Sequence, residues 1–258
     1  VFSGVRAVQL RHSPRPVPWL TAGEAFPSIQ TAWGAGEPAP GLLAAGGVLD
    51  TPSLLRAYVH GIFPWFSLGQ PILWWSPDPR MVLKTDRLRL HRSLKKTIKR
   101  FLITPGCELK FDSAFSSVIG ACANVPREGQ PGTWIVPEMI MAYTELHRAG
   151  HAHSVEVWRD GDLVGGLYCV NIGRMVFGES MFARRTDASK IALAALVAFC
   201  RSQGIAMIDC QQNTSHLASL GAAEIARADF AEHLHAHAQL LAPQWDFDPA
   251  CWQHILQS

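Results

Sequence analysis

His153-Ser-Val-Glu-Val-Trp-Arg159, Asp160-Gly161 and Leu163-Val-Gly-Gly-Leu-Tyr-Cys-Val170 decide how the second half of the chain is read. The first run alternates apolar and polar positions, as a half-buried strand does, and Asp-Gly is a two-residue hairpin signal. The third run is the returning strand, and Arg174-Met-Val-Phe-Gly-Glu179 makes another. A helix is predicted from about Asp187 to Gln203, ended by Gly204, and then a buried strand at Ile205-Ala-Met-Ile-Asp209. Helical sequence is expected from there to about Leu241, with Trp245 and Trp252 in a tail.

Upstream the signals differ. Residues 1–47 are rich in Pro and Gly and read as irregular chain wrapped on something else. Asp50-Thr-Pro-Ser-Leu-Leu-Arg-Ala-Tyr-Val-His-Gly61 carries a helix start and stop: a capping Asp or Thr, Pro in the first turn and a closing Gly. The Pro-rich Ile62-Phe-Pro-Trp-Phe66 and Pro71-Ile-Leu-Trp-Trp-Ser-Pro-Asp-Pro-Arg80 are expected to hold their aromatics on rigid turns. Further helices are predicted from about Asp112, with Phe115, Val118, Ile119 and Cys122 inward, and from Pro137 to Gly150. Leu90, Leu94, Ile98 and Phe101 form one apolar stripe on a helix whose other side carries Arg92, Lys95, Lys96, Lys99 and Arg100.

That helix changes the meaning of the charge balance. The 258 residues hold 23 Lys and Arg against 21 Asp and Glu, an almost neutral chain. Seven of the basic residues lie between Arg87 and Arg100, where there is no acid; the remaining 16 face 21 acids, a remainder of −5. Ordinary solvated faces intersperse both signs, so the segment reads as a phosphate-binding face. The nine Trp add stacking candidates, and aromatics beside a basic helix are how unpaired nucleic-acid ends are held.

Other chemistry is weaker. Hydrophobic residues at 48% exclude global disorder. No run approaches the roughly 18 apolar residues of a membrane span, so a soluble protein is expected. The start, Val1-Phe2-Ser3-Gly4, lacks an initiator Met and a signal peptide and reads as a trimmed or tagged beginning. Six scattered Cys without metal-like spacing read as reduced thiols of a cytoplasmic protein. His151-Ala-His153 and His233-Leu-His235-Ala-His237 do not make a metal site: i and i+2 share no helical face, although His233 and His237 could, and no metal is expected. Glu179, Asp209 and Gln211 stand at strand ends, where Gly178 permits close approach of another group. Cys210 invites a thiol nucleophile, but strand-end thiols are commonly inert.

The order of meander, helix, strand and helix resembles the α+β architecture of the N-acetyltransferase superfamily, with a mostly antiparallel sheet. Residues 1–78 are expected to form a small N-terminal domain and residues 79–258 the acetyltransferase-like (GNAT-like) domain. Gly61-Ile-Phe-Pro-Trp-Phe66, Pro71-Ile-Leu-Trp-Trp-Ser-Pro-Asp-Pro-Arg80, Gly132-Thr-Trp134, Gly150-His-Ala-His-Ser-Val-Glu-Val-Trp158, Gly165-Gly166, Gly178-Glu-Ser-Met-Phe182 and Ile208-Asp-Cys-Gln211 go further. In this order, over about residues 40–230, they resemble the leucyl/phenylalanyl-tRNA–protein transferase family.

The resemblance implies transfer of Leu or Phe, and weakly Met, from aminoacyl-tRNA to proteins beginning with Arg or Lys, in the N-degron pathway. It implies no cofactor, metal or ATP, because the aminoacyl ester is already activated. Asp209 and Gln211 match the catalytic pair, with Asp209 taking a proton through Gln211 or only orienting the amine. Glu179 and Met181 match the active-site strand, and Leu167 joins Met181 in the aminoacyl pocket. Trp65 and Trp134 match the aromatics around the terminal adenosine, and Arg92, Lys95, Lys96, Lys99 and Arg100 the tRNA-binding helix. A monomer without membrane attachment is expected. The chain departs from the family pattern in having Leu167 after the paired glycines where Met is expected, in a longer Pro/Gly start, and in Gln130-Pro131 before Gly132.

A coenzyme-A acetyltransferase on the same architecture would need a glycine-rich pyrophosphate loop, whereas Arg184-Arg-Thr-Asp-Ala-Ser-Lys190 has no Gly. A non-catalytic tRNA-binding module leaves Glu179, Asp209 and Gln211 without a task. Reversal of Lys95, Lys96 and Lys99 to Glu is expected to raise the apparent KM for aminoacyl-tRNA and flatten its salt dependence in transfer assays. An unchanged salt slope would remove the helix from tRNA binding.

Overall fold

The computed structural model describes residues 15–125 and 135–256. The first elements are β1 (Trp19–Leu20), β2 (Leu42–Gly46), α1 (Thr51–Tyr58), β3 (Phe63–Pro64) and β4 (Leu73–Trp75). The strands form a small sheet in the order β1-β2-β4-β3. Helix α1 begins as its sequence dictates: the Asp50 carboxylate accepts the Ser53 N–H at 2.8 Å, and Pro52 stands in the first turn. Gly61 closes the following turn at φ +72°, a conformation that suits glycine.

The larger part follows with β5 (Arg80–Lys84), α2 (Arg92–Ile103), β6 (Cys107–Phe111), α3 (Phe115–Ala123), α4 (Pro137–Arg148), β7 (Ala152–Arg159), β8 (Asp162–Ile172) and β9 (Met175–Ala183). It ends with α5 (Ala188–Ser202), β10 (Met207–Gln211), α6 (Ser215–Ser219), β11 (Ala223–Ile225), α7 (Arg227–Ala238) and α8 (Gln253–Leu256). Its seven strands run β11-β5-β10-β9-β8-β7-β6. Every neighbouring pair is antiparallel except β10 and β9. The hairpin between β7 and β8 turns at Asp160 (φ 52°) and Gly161 (φ 83°), the positive-φ pair that its right-handed twist favours. Helix α5 carries the chain across to β10, and such a crossover is what lets β10 lie parallel to β9. The result is the expected α+β fold with a mostly antiparallel sheet.

The two faces of this sheet hold two cores. Met175, Phe177, Tyr168 and Val170 pack with α1, α3, α4 and the small sheet. Val176, Ile208, Val155 and Leu167 pack with α2, α5 and the C-terminal tail. Successive residues of β9 thus enter opposite cores, as a period of two requires. Gly165 and Gly166 sit where α5 and β7 come closest: a Cβ at Gly165 would run into Ala188, and one at Gly166 would stand 2.7 Å from the Val155 carbonyl.

Several expectations need correction. Leu42–Gly46 lies inside the stretch read as irregular, yet it is a fully buried strand; its all-apolar run has no alternation to betray it. Trp74 and Trp75 sit on β4, not on turns. Their indole N–H groups donate to the carbonyls of Gly46 (2.9 Å) and Trp65 (2.7 Å), which makes them core plugs. Strands β5 and β6 are absent from the sequence expectations, although Cys107-Glu-Leu-Lys-Phe111 alternates, and three-residue β11 interrupts the C-terminal stretch expected to be helical. Helix α2 starts at Arg92, so Leu90 of the predicted stripe precedes it, while Leu94, Ile98 and Phe101 are buried. Arg92, Lys96, Lys99 and Arg100 are exposed, but Lys95 is half-buried and lines a 530 Å³ hollow with Leu88, Leu90 and Arg201.

Because the glycine pair sets the spacing of β8 against α5, Gly165→Ala is expected to destabilise the fold by about 1–3 kcal/mol through overpacking. The measurement is a urea titration, in which the midpoint falls at constant m. An unmoved midpoint would show that the contact relaxes.

Candidate active site

The site begins where β9 and β10 part. They pair at Val176↔Ile208 and Phe177↔Asp209, after which β9 continues to Ala183 and β10 ends at Gln211. Each strand carries a bulge at this point. Tyr168 faces Ser180 and Cys169 faces Gly178, which leaves Glu179 as the extra residue of β9. Against β5, Asp209 faces Val82 and Gln211 faces Met81, which leaves Cys210 as the extra residue of β10. Bulges bend a strand and re-aim its side chains. Gln211 completes the second one with a left-handed backbone, φ 62°.

A cavity of about 620 Å³ fills the opening. Phe63 and Trp65 reach it from the small sheet, Leu167, Glu179 and Met181 from β8 and β9, and Leu193 and Leu196 from α5. Gln211, His216 and Leu217 close the β10 side. The floor is therefore apolar, and a carboxyl and an amide stand at one edge.

Glu179 is held by three donors. The Tyr58 hydroxyl donates to Oε1 at 2.7 Å, Gln211 Nε2 to the same oxygen at 2.9 Å, and the Tyr143 hydroxyl to Oε2 at 3.3 Å. The two tyrosine hydroxyls are 2.5 Å apart. Burial pushes the Glu179 pKa up to about 8, against the opposing pull of the Tyr58 hydrogen bond. Burial and the Glu179 charge raise both phenols well above their ordinary range, so they remain donors.

Asp209 stands one step behind, fully buried and absent from the cavity wall. Arg80 Nε donates to Oδ1 at 2.8 Å and Nη2 to Oδ2 at 2.6 Å; the Gln211 backbone N–H donates to Oδ1 at 2.9 Å. The register explains the pair: Asp209 lies opposite Val82, and Arg80 is two residues along β5 on the same face. Cys210 also lines the cavity, but burial pushes its thiol up, away from the reactive thiolate.

The structure thus brings Glu179, Gln211, Met181, Leu167 and Trp65 to one cavity. Asp209 does not line it and is hydrogen-bonded to the Gln211 backbone, and none of the basic residues of α2 lines it. Trp134 lies outside the described residues. His233 and His237 stack at 3.9 Å, and among the described residues no three His, Cys, Asp or Glu are grouped as metal ligands. Among these residues no helix is long and apolar enough to cross a membrane. Sequence reasoning missed Tyr58, Tyr143 and Arg80. A phenol on an amphipathic helix looks like core, but an Arg opening the apolar run Arg-Met-Val-Leu signals a buried acid partner.

Two family models match: the leucyl/phenylalanyl-tRNA protein transferase over residues 82–235 and the N-terminal domain of the same family over residues 47–78. Among similar curated proteins, the leucyl/phenylalanyl-tRNA–protein transferase of Polaromonas sp. is 69% identical over 94% of this chain and 95% of its own length. That of Albidiferax ferrireducens is 60% identical over 94% and 96%. Solved structures overlap more loosely. FemX has a TM-score of 0.42 at 9% identity, covering 71% of this chain and 70% of its own. A GCN5-related N-acetyltransferase from Kribbella flavida has 0.33 at 12%, covering 65% and 58%. The chain is an acyl-transfer enzyme built on an α+β sheet that opens beside one parallel strand pair. It belongs to the leucyl/phenylalanyl-tRNA–protein transferase family.

The Glu179 carboxyl binds its proton more tightly folded (about 8) than at its ordinary value of 4.5. Its contribution to stability is complete below the lower value and is lost as pH rises through the upper one. Urea unfolding between pH 6 and 9 is expected to show stability falling with pH more steeply in the native chain than in Glu179→Gln. Equal slopes would contradict the assignment.

Proposed function

We propose that this enzyme transfers leucine or phenylalanine, and more weakly methionine, from aminoacyl-tRNA to the α-amine of proteins that begin with Arg or Lys, marking them for N-degron degradation. The observation that carries the reading is the apolar floor of one cavity meeting the Glu179–Gln211 pair at its edge. Its volume of about 620 Å³ is that of a small-molecule site, sufficient for an aminoacyl side chain and part of a nucleoside. The reading places the activity in the cytoplasm, in a monomer divided at residues 78 and 79. The free state of all six cysteines supports a reducing compartment.

In the reaction the amine nitrogen attacks the carbonyl carbon of the aminoacyl ester. An N–C bond forms, the C–O bond to the terminal ribose breaks, and a proton passes from nitrogen to the departing ribose oxygen. An α-ammonium has a pKa of about 7.7–8.0 and must lose a proton first. The Glu179 carboxyl, at about 8, is matched to that amine, so the proton moves between them at little cost. As a carboxylate it also partners a cationic acceptor terminus. Gln211 gives its Nε2 to Glu179, which leaves the amide oxygen to accept the incoming N–H. Asp209, with both oxygens on Arg80, is cast in the orienting role of the two considered.

Met181 and Leu167 line the donor pocket, with α5 as its far wall. Branching at Cβ crowds such a slot, while one methyl group is worth only about 1–3 kcal/mol of discrimination, so leakage to Met is expected. Trp65 offers a face to the terminal adenine, worth about 1–3 kcal/mol, and Trp134 keeps the second stacking role that the family pattern implies. The exposed Arg92, Lys96, Lys99 and Arg100, with Lys95 beside them, form the proposed tRNA-binding side of α2.

The test adds purified protein to leucyl-tRNA and a peptide beginning with Arg and follows leucine incorporation. Transfer is expected, and Asp209→Asn should slow it by roughly 100-fold with tRNA binding intact. Binding without transfer by the native chain would leave a tRNA-binding module, and parallel loss of both in the variant would remove the orienting role.

A further inference from the structure

Gln211 is a non-glycine residue held at φ 62°, a conformation L side chains adopt only when their surroundings compel it. The compelling contact is the hydrogen bond from its backbone N–H to Asp209 Oδ1. That carboxylate is closed off from water, so its place and its charge depend on what faces it, which is the planar fork of Arg80. Arg80 is itself fixed on every side. Its Nη1 donates to the Gly61 carbonyl at 3.0 Å, and its guanidinium lies 4.9 Å from the Phe63 ring centre and 4.6 Å from that of Phe230.

We infer that Arg80 is a positioning residue for transfer: by locking Asp209 it holds Gln211 in its left-handed turn and aims the Gln211 amide at Glu179 and the cavity. This rests on the role given to Gln211 under Proposed function. The chain of contacts runs from the guanidinium to Asp209, to the Gln211 backbone, and through Nε2 to Glu179. The same guanidinium registers the Gly61–Phe63 segment, and Trp65, two residues further, lines the cavity. Lysine preserves the charge but cannot reproduce two donors to Asp209 and a third to Gly61 in one plane.

Arg80→Lys is the direct test, in steady-state transfer from leucyl-tRNA to a peptide beginning with Arg. A positioning role predicts that kcat per folded molecule falls at least roughly tenfold while KM for leucyl-tRNA stays within about twofold. A purely structural role predicts fewer folded molecules and unchanged kcat in those that remain, which would overturn the inference. In an Asp209→Asn background the same change should cost less than about twofold more, because Arg80 acts through residue 209. Additive losses would overturn it. Should Arg80→Lys not fold, Arg80→Gln, which keeps one donor for Asp209, serves: lowered kcat at constant KM supports the inference and native kcat overturns it.

A crystal structure of the folded variant gives a readout independent of activity. Gln211 is expected to leave positive φ and its Nε2 to leave Glu179; an unmoved Gln211 would overturn the inference. Absence of transfer by the native chain would instead defeat the proposed function, while the variant structure would still decide the link from Arg80 to Gln211.

Discussion

Strands β9 and β10 pair over only two positions, and most of what surrounds the cavity follows from that brevity. The pairing is parallel because α5 intervenes, and it stops because each strand inserts an extra residue at the same level: Glu179 in one, Cys210 in the other. Had the ladder continued, the space between β9 and β10 would be filled by backbone hydrogen bonds. Instead it is open, floored by α5 and walled by a segment of the small sheet. The small sheet is thus part of the cavity through Phe63 and Trp65, besides sharing a core with α3 and α4.

Two acids close together are treated in opposite ways. Asp209 has a guanidinium on both oxygens and is an ion pair sealed from water. Glu179 has phenols and an amide, neutral donors that leave burial to dominate, and its proton is held to about pH 8. One becomes a fixed anchor and the other a carboxyl that titrates at about pH 8. In the proposed reaction this contrast separates orientation from proton transfer. Gln211 joins them by using its backbone toward Asp209 and its side chain toward Glu179.

Much of this was legible before any coordinates. The alternation of 153–159, the Asp160-Gly161 turn and the Asp50 cap are local signals, and local signals survive folding. What could not be read were features made by partners distant in sequence. Strand β2 has no alternation and β11 is only three residues long, so pairing creates them, whereas the alternation of β6 is a signal that a sequence reading can pass over. Neither bulge is a property of one strand alone. Tyr58 and Tyr143 lie 85 residues apart, and nothing in either helix announces the other. The tryptophans were hardest to sort, because identical residues on two neighbouring Pro-rich runs serve as plug at Trp74 and as cavity wall at Trp65. The charge asymmetry was readable as a stripe, although Lys95 is half-buried and shares a hollow with Arg201 of α5 and Ile255 of α8.

Phe63 and Phe230 both pack against one guanidinium, yet they belong to the early and late parts of the chain. A growing polypeptide therefore completes β5 and β10 while Arg80 still lacks its second cover, and the ion pair is sealed only after α7 emerges. On the role inferred for Arg80, the last long helix, which lies outside the cavity wall, becomes a condition for competence. Activity becomes a property that only an essentially whole molecule can display, so a prematurely ended chain would not be left holding an active fragment.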